Sequence, residues 1–169
     1  MEEQLTTGQV IKKWGVIYGA ISAIVSLVPI LLEYQSSWLF LISIALAIAM
    51  YILANKEFKT ENGGLMSFGE GFKMSFGIAA IAGVIRGLVS YVYTKFIDPE
   101  YIERARQISI EQMRSQGLSE QQIEQSMSFT SALSNPEVGL VMGFVVILLG
   151  ALIWGAIVSA IMKNGEDEY

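Results

Sequence analysis

The chain has 169 residues, of which 53% are hydrophobic and 16% are charged, and its formal net charge is −5. This length predicts a single domain, and because soluble domains carry roughly 25% charged residues, the composition favours a membrane as the solvent. Cysteine and histidine are absent, which excludes disulfides and removes the usual general base and the commonest metal ligand. We therefore expect no catalytic residues, no cofactor, no metal site and no enzymatic activity. The acidic net charge also argues against a nucleic-acid partner.

The first two predicted membrane spans are apolar segments that contain no charged residue. Residues 14–32 are uncharged and approach the roughly 20 residues that cross about 30 Å of hydrocarbon. A second apolar segment covers residues 38–54, after a short polar turn. Two lysines precede the first segment, as they would in a cleaved signal peptide, which is the alternative interpretation. Because another span follows at once, we expect the first segment to remain as a membrane helix.

The third and fourth predicted spans cover residues 70–97 and 138–162. Ser67 and Glu70 have the spacing of a capping box, which predicts the start of the third helix. The apolar centre of this span contains one charged residue, Arg86, and the fourth span contains none. No segment has the polar face of a surface helix, so the sequence predicts an all-α, polytopic membrane protein with four transmembrane helices.

Residues 98–136, between the third and fourth spans, have the pattern of an amphipathic helical loop. The Asp-Pro-Glu triplet at 98–100 predicts a helix start, with an N-cap, a proline and a first-turn acid, and Gly117 is expected to end that helix. Ser119 and Gln122 form a capping-box pattern that predicts a second helix. We expect an extracytoplasmic helical hairpin. It either packs on the outer membrane face, or it contacts a partner protein or covers a pocket.

The distribution of lysine and arginine predicts the orientation, because cytoplasmic loops carry an excess of these residues. With a cytoplasmic N-terminus, the turn at 33–37 has no basic residue, and acidic residues outnumber the three arginines of the loop at 98–136. Both termini are therefore predicted to be cytoplasmic. The basic residues placed on the cytoplasmic side are Lys12, Lys13, Lys56, Lys59, Lys73 and Lys163.

Arg86 is the strongest candidate for a functional residue. A charged side chain near the middle of a span costs roughly 2.5 to 3.5 kcal/mol on insertion scales, so it usually faces protein or water and has a partner. We expect Glu33, at the end of the first span, to be that partner, and together they form a candidate intramembrane polar site. The alternatives are a binding site for an anionic solute or lipid headgroup, or snorkelling to the interface.

Small residues recur at four-residue spacing in every span, which lets helix backbones approach closely in lipid. We interpret these rows as packing within the chain, with homodimer contacts as the alternative. The glycines predicted to pack helices are Gly15, Gly19, Gly83, Gly87, Gly139, Gly143 and Gly155.

Three short motifs stand out between and within the spans: SFGEGFK at 67–73, DPE at 98–100 and QGLSEQQI at 116–123. With the small-residue first span and the final span, they resemble a bacterial membrane family, domain of unknown function 4199 (DUF4199), over nearly the whole chain. The resemblance implies four helices in the cytoplasmic (inner) membrane of a Gram-negative bacterium. It implies no established activity, cofactor or catalytic residue.

The sequence leaves two functions open. The first is a non-enzymatic role in interaction or assembly, with membrane lipids and either a second copy of the chain or another membrane protein as partners. The second is a small oligomeric transporter or channel component, in which Arg86 faces an anionic solute or a lipid headgroup. An Arg86 sealed among side chains, with no cavity that reaches either face, would exclude the second.

Overall fold

The computed structural model describes residues 5–32, 37–132 and 135–164 of the chain. Within these ranges the regular structure is helical. The α-helices are α1 (Thr7–Leu31), α2 (Ser37–Glu61), α3 (Phe68–Val92), α4 (Tyr101–Ser115), α5 (Glu120–Ala132) and α6 (Pro136–Met162). Helices α1, α2, α3 and α6 are long and apolar enough to cross a membrane. Helix α2 continues to Glu61, past the end of its apolar segment at 54, because a charge ends a hydrocarbon span without ending a helix.

The four long helices alternate in direction. At one end of the bundle, called here the terminal end, Lys13 Nζ of α1 lies 2.8 Å from Glu57 Oε1 of α2. At the same end, the backbone N–H of Asn164, just after α6, donates to the carbonyl of Met66, just before α3, at 3.1 Å. The opposite end, called the hairpin end, leads into α4 and α5.

Two predicted capping boxes are confirmed. The Ser67 N–H donates to Glu70 Oε2 at 2.9 Å, and the Glu70 N–H donates to Ser67 Oγ at 3.2 Å. At the start of α5, the Ser119 N–H donates to Gln122 Oε1 at 2.9 Å, and the Gln122 N–H donates to Ser119 Oγ at 3.4 Å. Gly117 has a φ of 81°, the left-handed conformation that ends a helix, so the predicted end of α4 is also confirmed.

The predicted start of α4 at Asp98 is wrong by a few residues. The helix begins at Tyr101, and the residue at its cap, Glu100, makes no side-chain capping hydrogen bond. The Asp98 carboxylate forms a bidentate ion pair with Arg104, with Oδ2 at 2.6 Å from Nη2 and Oδ1 at 3.1 Å from Nη1, and it also accepts backbone hydrogen bonds from Glu100 and Tyr101. Asp98, which was predicted to be the N-cap of α4, therefore links the turn before α4 to the first turn of the helix through Arg104.

Helix α3 lies between α1 and α6. Glycines of α1 permit the close contact between α1 and α3. A Cβ on Gly15 would lie 2.8 Å from Ile81 Cβ, and a Cβ on Gly19 would lie 2.7 Å from Ile85 Cδ1. Both distances are shorter than ordinary van der Waals contact. Only glycine therefore permits this spacing, and it lets the branched side chains of α3 rest on the backbone of α1.

The contact between α3 and α6 uses small residues on both helices. A Cβ on Gly71 would lie 3.0 Å from Ser159 Oγ, and a Cβ on Gly155 would lie 2.9 Å from Ser75 Cβ. These two pairs are one four-residue step apart on each helix, in antiparallel register. Near the terminal end, α3 and α6 are therefore closely packed.

The exterior of the bundle is apolar. Only 22% of the apolar stretch of α2 and 17% of that of α6 is buried inside the protein. Large hydrophobic side chains such as Phe40, Ile153 and Ile161 are exposed at their positions on these helices. Contiguous apolar surface of this kind is rare on soluble monomers and marks contact with another apolar phase.

Candidate functional site

The packing of α3 on α6 changes along the bundle. Four residues beyond the contact between Ser75 and Gly155, toward the hairpin end, Ala79 and Ala151 are both 0% exposed. The interface between α3 and α6 is therefore still closed at this level. At the next step a Cβ on Gly83 would lie 2.9 Å from Phe144 Cδ2, and the aromatic ring fills the space that the glycine leaves. Up to this point each small residue on one helix has a side chain from the other against it.

The next step opens the interface. The same register places Gly87 opposite Gly143, where neither residue supplies a side chain. A Cβ on Gly87 would meet only Leu140 Cγ, at 3.7 Å, and a Cβ on Gly143 would have no other atom within 4 Å. The helices therefore separate at a position where the chain leaves the gap unfilled.

A cavity of about 500 Å³ occupies this gap and continues to the hairpin end. Helix α3 and the turn that follows it line the cavity from Gly83 to Thr94, and α6 lines it from Pro136 to Ile147. At about 1.5 Å per residue, each wall is roughly 16 Å long. Side chains of α4, together with Met127 of α5, form the roof. The cavity is named the Arg86 cavity below.

The Arg86 side chain lines this cavity and is only partly exposed. Among the described residues, no carboxylate lies within 4.0 Å of its guanidinium group. The predicted partner, Glu33, lies outside the described residues. The five donors of a guanidinium favour an anionic or carbonyl acceptor in a partly buried place, so Arg86 is equipped to bind an anion that enters the cavity.

A second guanidinium group lines the Arg86 cavity from the roof. Arg106, on α4, lies 3.6 Å from Glu103 Oε2 through Nη1, and both side chains are largely exposed. Its neighbour on the roof, Ala105, belongs to the apolar stripe of α4, which consists of Tyr101, Ala105 and Ile108. Of the described residues that line the cavity, two are cationic and none is acidic. The lining therefore supplies two cationic side chains, of which Arg106 is paired with a carboxylate outside the lining.

The mouth of the cavity lies beside a π-helical turn, Tyr93–Ile97, that extends α3. The Asp98 N–H closes this turn by donating to the Tyr93 carbonyl at 2.9 Å. Lys95 in the turn forms an ion pair with Glu137 at the start of α6, and its ammonium also donates to Tyr91 Oη at 2.7 Å. Turns of this kind occur often at functional sites, and here the turn fixes α3 to α6 beyond the cavity.

The predicted site residues thus fall into two groups. Gly15, Gly19, Gly83 and Gly155 lie where helices approach closely, whereas Gly87, Gly139 and Gly143 line the Arg86 cavity. Sequence reasoning identified Arg86 but missed Arg106. Because the role of Arg106 depends on where the hairpin lies, the only sequence signal was its position beside the apolar stripe of α4.

These features define an all-helical protein with four helices that could cross a membrane and an arginine-lined cavity between two of them. The chain belongs to the family described as "Protein of unknown function (DUF4199)", whose model matches residues 13–164. This confirms the resemblance found in the sequence. No curated protein and no solved structure matches the chain.

Proposed function

We propose that this protein is an integral membrane protein that binds the anionic group of a ligand in the Arg86 cavity. The membrane part of the proposal is supported by the large apolar side chains exposed on α2 and α6. Burying such surface stabilises a protein by roughly 25 cal/mol per Å², and only lipid can cover so many sides of the bundle. The backbone satisfies its own hydrogen bonds within the helices, as hydrocarbon requires.

The proposal includes an orientation with both termini in the cytoplasm, in a bacterial inner membrane. It is supported by the lysines at the terminal end, where Lys13 pairs with Glu57 and Lys59 donates to the Met162 carbonyl at 3.0 Å. An excess of lysine marks cytoplasmic ends. The hairpin of α4 and α5 is then extracytoplasmic, and the Arg86 cavity opens toward the outer side of the membrane.

The observation that carries the binding proposal is a guanidinium group, without a described carboxylate partner, on the wall of an open cavity. An arginine at this depth is costly in an apolar environment unless a partner or water satisfies it. An anion in the cavity supplies both charge and hydrogen-bond acceptors. The cavity contributes arginine, hydroxyl and amide groups and no described carboxylate, so the proposed role is non-catalytic binding.

An assembly role has less support from the geometry. It was motivated by rows of glycine, and Gly15, Gly19 and Gly155 contact other helices of the same chain. Those faces are therefore occupied within one molecule. Homo-oligomer formation and partner binding stay predictions that rest on other surfaces.

The proposal is tested with Arg86→Gln in nanodiscs of digalactosyl diacylglycerol, a bilayer lipid without phosphate, with inorganic phosphate and dodecyl phosphate as probes. Loss of a hydrogen bond to a charged group, worth about 1.5 to 3 kcal/mol, weakens binding of both probes by roughly 10- to 100-fold. Arg86→Lys keeps the charge without the bidentate geometry. Its affinity for the probes is expected to lie between that of the unmodified protein and that of Arg86→Gln.

Arg114→Gln is the matched control, because it removes the same charge from the hairpin. Arg114 pairs with Glu120 at 2.8 Å and is not among the residues that line the Arg86 cavity. If Arg86→Gln and Arg114→Gln bind the probes as the unmodified protein does, Arg86 is not a binding residue and the proposal is wrong.

A further inference from the structure

We infer that the ligand of the Arg86 cavity is a phosphate-bearing lipid whose acyl chain lies in a groove on the bilayer side of the cavity. The groove, called the acyl groove below, consists of Gly87, Leu140, Gly143, Val146 and Ile147. This inference rests on the proposed function and specifies the chemical class of the ligand.

The first argument is the order of polarity along the cavity. The polar residues of the lining, with Thr94, Ser90 and Asn135 among them, lie toward the mouth beside apolar ones, and the deep end is apolar apart from Arg86, with Val146 and Ile147. Arg86 lies one turn deeper than Ser90 and three residues from Gly83 at the deep end. A ligand that matches this order has a charged group at one end and a hydrocarbon chain at the other, and it is oriented as a lipid of the outer leaflet would be.

The second argument is that the acyl groove opens sideways as well as toward the mouth. Val146 is 56% exposed, and Gly143 is also exposed on the surface of α6. This part of α6 belongs to the apolar exterior that the membrane covers. A lipid tail can therefore enter the acyl groove from the bilayer without crossing water, whereas a soluble anion needs only the mouth.

The third argument is the cost of leaving the acyl groove empty. Helix packing stabilises a protein in lipid through dispersion contacts, and a void forfeits them on every atom that faces it. Gly87 and Gly143 have no side chains to fill the gap between them, and the nearest side chain to a Cβ on Gly87 is that of Leu140, at 3.7 Å. An acyl chain restores those contacts, since methylene groups are the filler that the bilayer supplies.

The fourth argument concerns the headgroup. Two guanidinium groups, Arg86 on the wall and Arg106 on the roof, line the same cavity. A carboxylate offers two oxygens, which one bidentate arginine occupies, whereas a phosphate offers more acceptor oxygens and accepts charge-assisted hydrogen bonds from two arginines at once. The pair of arginines therefore favours phosphate as the anionic group.

The inference is tested by filling the acyl groove without changing the charges. Gly143→Leu places a side chain where a Cβ has no other atom within 4 Å, so the fold has room for it. Gly150→Leu is the matched control, because Gly150 lies on the same helix with equally open space but outside the cavity lining. Both variants are measured by native mass spectrometry and equilibrium binding in nanodiscs of digalactosyl diacylglycerol, because this bilayer lipid has no phosphate and does not compete with the probes.

The expected result is that Gly143→Leu weakens binding of dodecyl phosphate about tenfold or more and leaves inorganic phosphate binding unchanged. Gly150→Leu binds both probes as the unmodified protein does. Dodecanol, which has the chain without the phosphate, binds the unmodified protein more weakly than dodecyl phosphate.

Three outcomes overturn the inference. If Gly143→Leu binds dodecyl phosphate as Gly150→Leu does, no chain occupies the acyl groove. If Gly143→Leu loses both phosphate probes, the groove holds the anion itself. If dodecanol binds as tightly as dodecyl phosphate, the phosphate is not recognised. The proposed function fails separately, through an Arg86→Gln variant that binds both phosphate probes normally.

Discussion

Ser75 and Gly155 lie in direct contact across α3 and α6, and a Cβ on Gly155 would come within 2.9 Å of Ser75 Cβ. Ser75 is 0% exposed and Gly155 is buried. Neither side of this contact can yield without moving a helix, because the obstacle is a Cβ atom and not the end of a flexible side chain. The pair therefore fixes the distance between the two helices near the terminal end.

Gly155→Ala is expected to destabilise the protein. Forcing an extra carbon into a closely packed interface costs about 1 to 3 kcal/mol. Gly150→Ala has the same gain in helix propensity without the clash, since a Cβ at Gly150 meets no other atom within 4 Å. Unfolding of the two variants in mixed micelles measures the difference. Equal stability of the two variants would show that α3 and α6 do not approach as closely as described.

The closed part of this interface could be anticipated from sequence, but the open part could not. Four-residue spacing of small residues predicts a helix contact at Gly155, which lies against Ser75. The same spacing placed Gly87 and Gly143 in the same class, although they line a cavity. Spacing identifies which face of a helix is smooth; whether a neighbour fills that face depends on the register, which a single sequence does not specify.

Ser75→Ala is expected to leave stability unchanged or raise it by up to about 1 kcal/mol. Ser75 Oγ has no hydrogen-bond partner among the described residues and is fully buried, and burying such a group unpaired costs about 1 to 3 kcal/mol. Alanine keeps the Cβ that contacts Gly155. The same unfolding assay provides the measurement, and Ser159→Ala is the control, because Ser159 Oγ donates to the Gly155 carbonyl at 2.6 Å. A loss of more than about 1 kcal/mol in Ser75→Ala would indicate that the hydroxyl has a partner, such as a buried water.

The ion pair between Asp98 and Arg104 is expected to make the start of α4 sensitive to acid. The hydrogen bond from Arg104 is the main cause that lowers the pKa of Asp98 below its ordinary value of 3.8. Because the pKa is lowered on folding, the stabilisation is complete above about pH 4 and is lost as the pH falls through the lowered pKa.

Hydrogen exchange of the amides at 101–105, corrected for the intrinsic pH dependence of exchange, measures this effect. Asp98→Asn removes the titrating group, and its protection is expected to be lower at neutral pH and flat across the acid range. If the variant and the unmodified protein were equally protected at neutral pH, the ion pair would not hold the first turn of α4.

How much of the site was predictable depended on how local its determinants are. Arg86 could be singled out because a charge in an apolar segment is visible in the sequence itself. The start of α4 was misplaced by a few residues because Asp98 accepts hydrogen bonds from Arg104 and from the backbone of Glu100 and Tyr101 together, in a turn that precedes the first helical residue. The roof position of Arg106 depends on how the whole hairpin packs, which no nearby residue determines.

The proposed orientation predicts which side of the membrane each end of the bundle faces. The chain has no cysteine, so single cysteines report accessibility without background. Thr60, near the end of α2, and Ser115, at the end of α4, are both exposed. With a membrane-impermeant maleimide on intact cells, Ser115→Cys is expected to react, and Thr60→Cys is expected to react only after the membrane is permeabilised.

The two labelling variants also test whether the cavity faces the outer leaflet. The hairpin that carries Ser115 also carries Arg106, the roof of the Arg86 cavity, so the side that labels Ser115→Cys is the side on which the mouth opens. The opposite pattern, with Thr60→Cys labelled on intact cells, would reverse the orientation. The mouth would then face the cytoplasm, and a phosphate lipid would reach Arg86 from the inner leaflet instead. Labelling of both variants on intact cells would place Thr60 and Ser115 on the same side of the membrane and would contradict the single crossing by α3 between them.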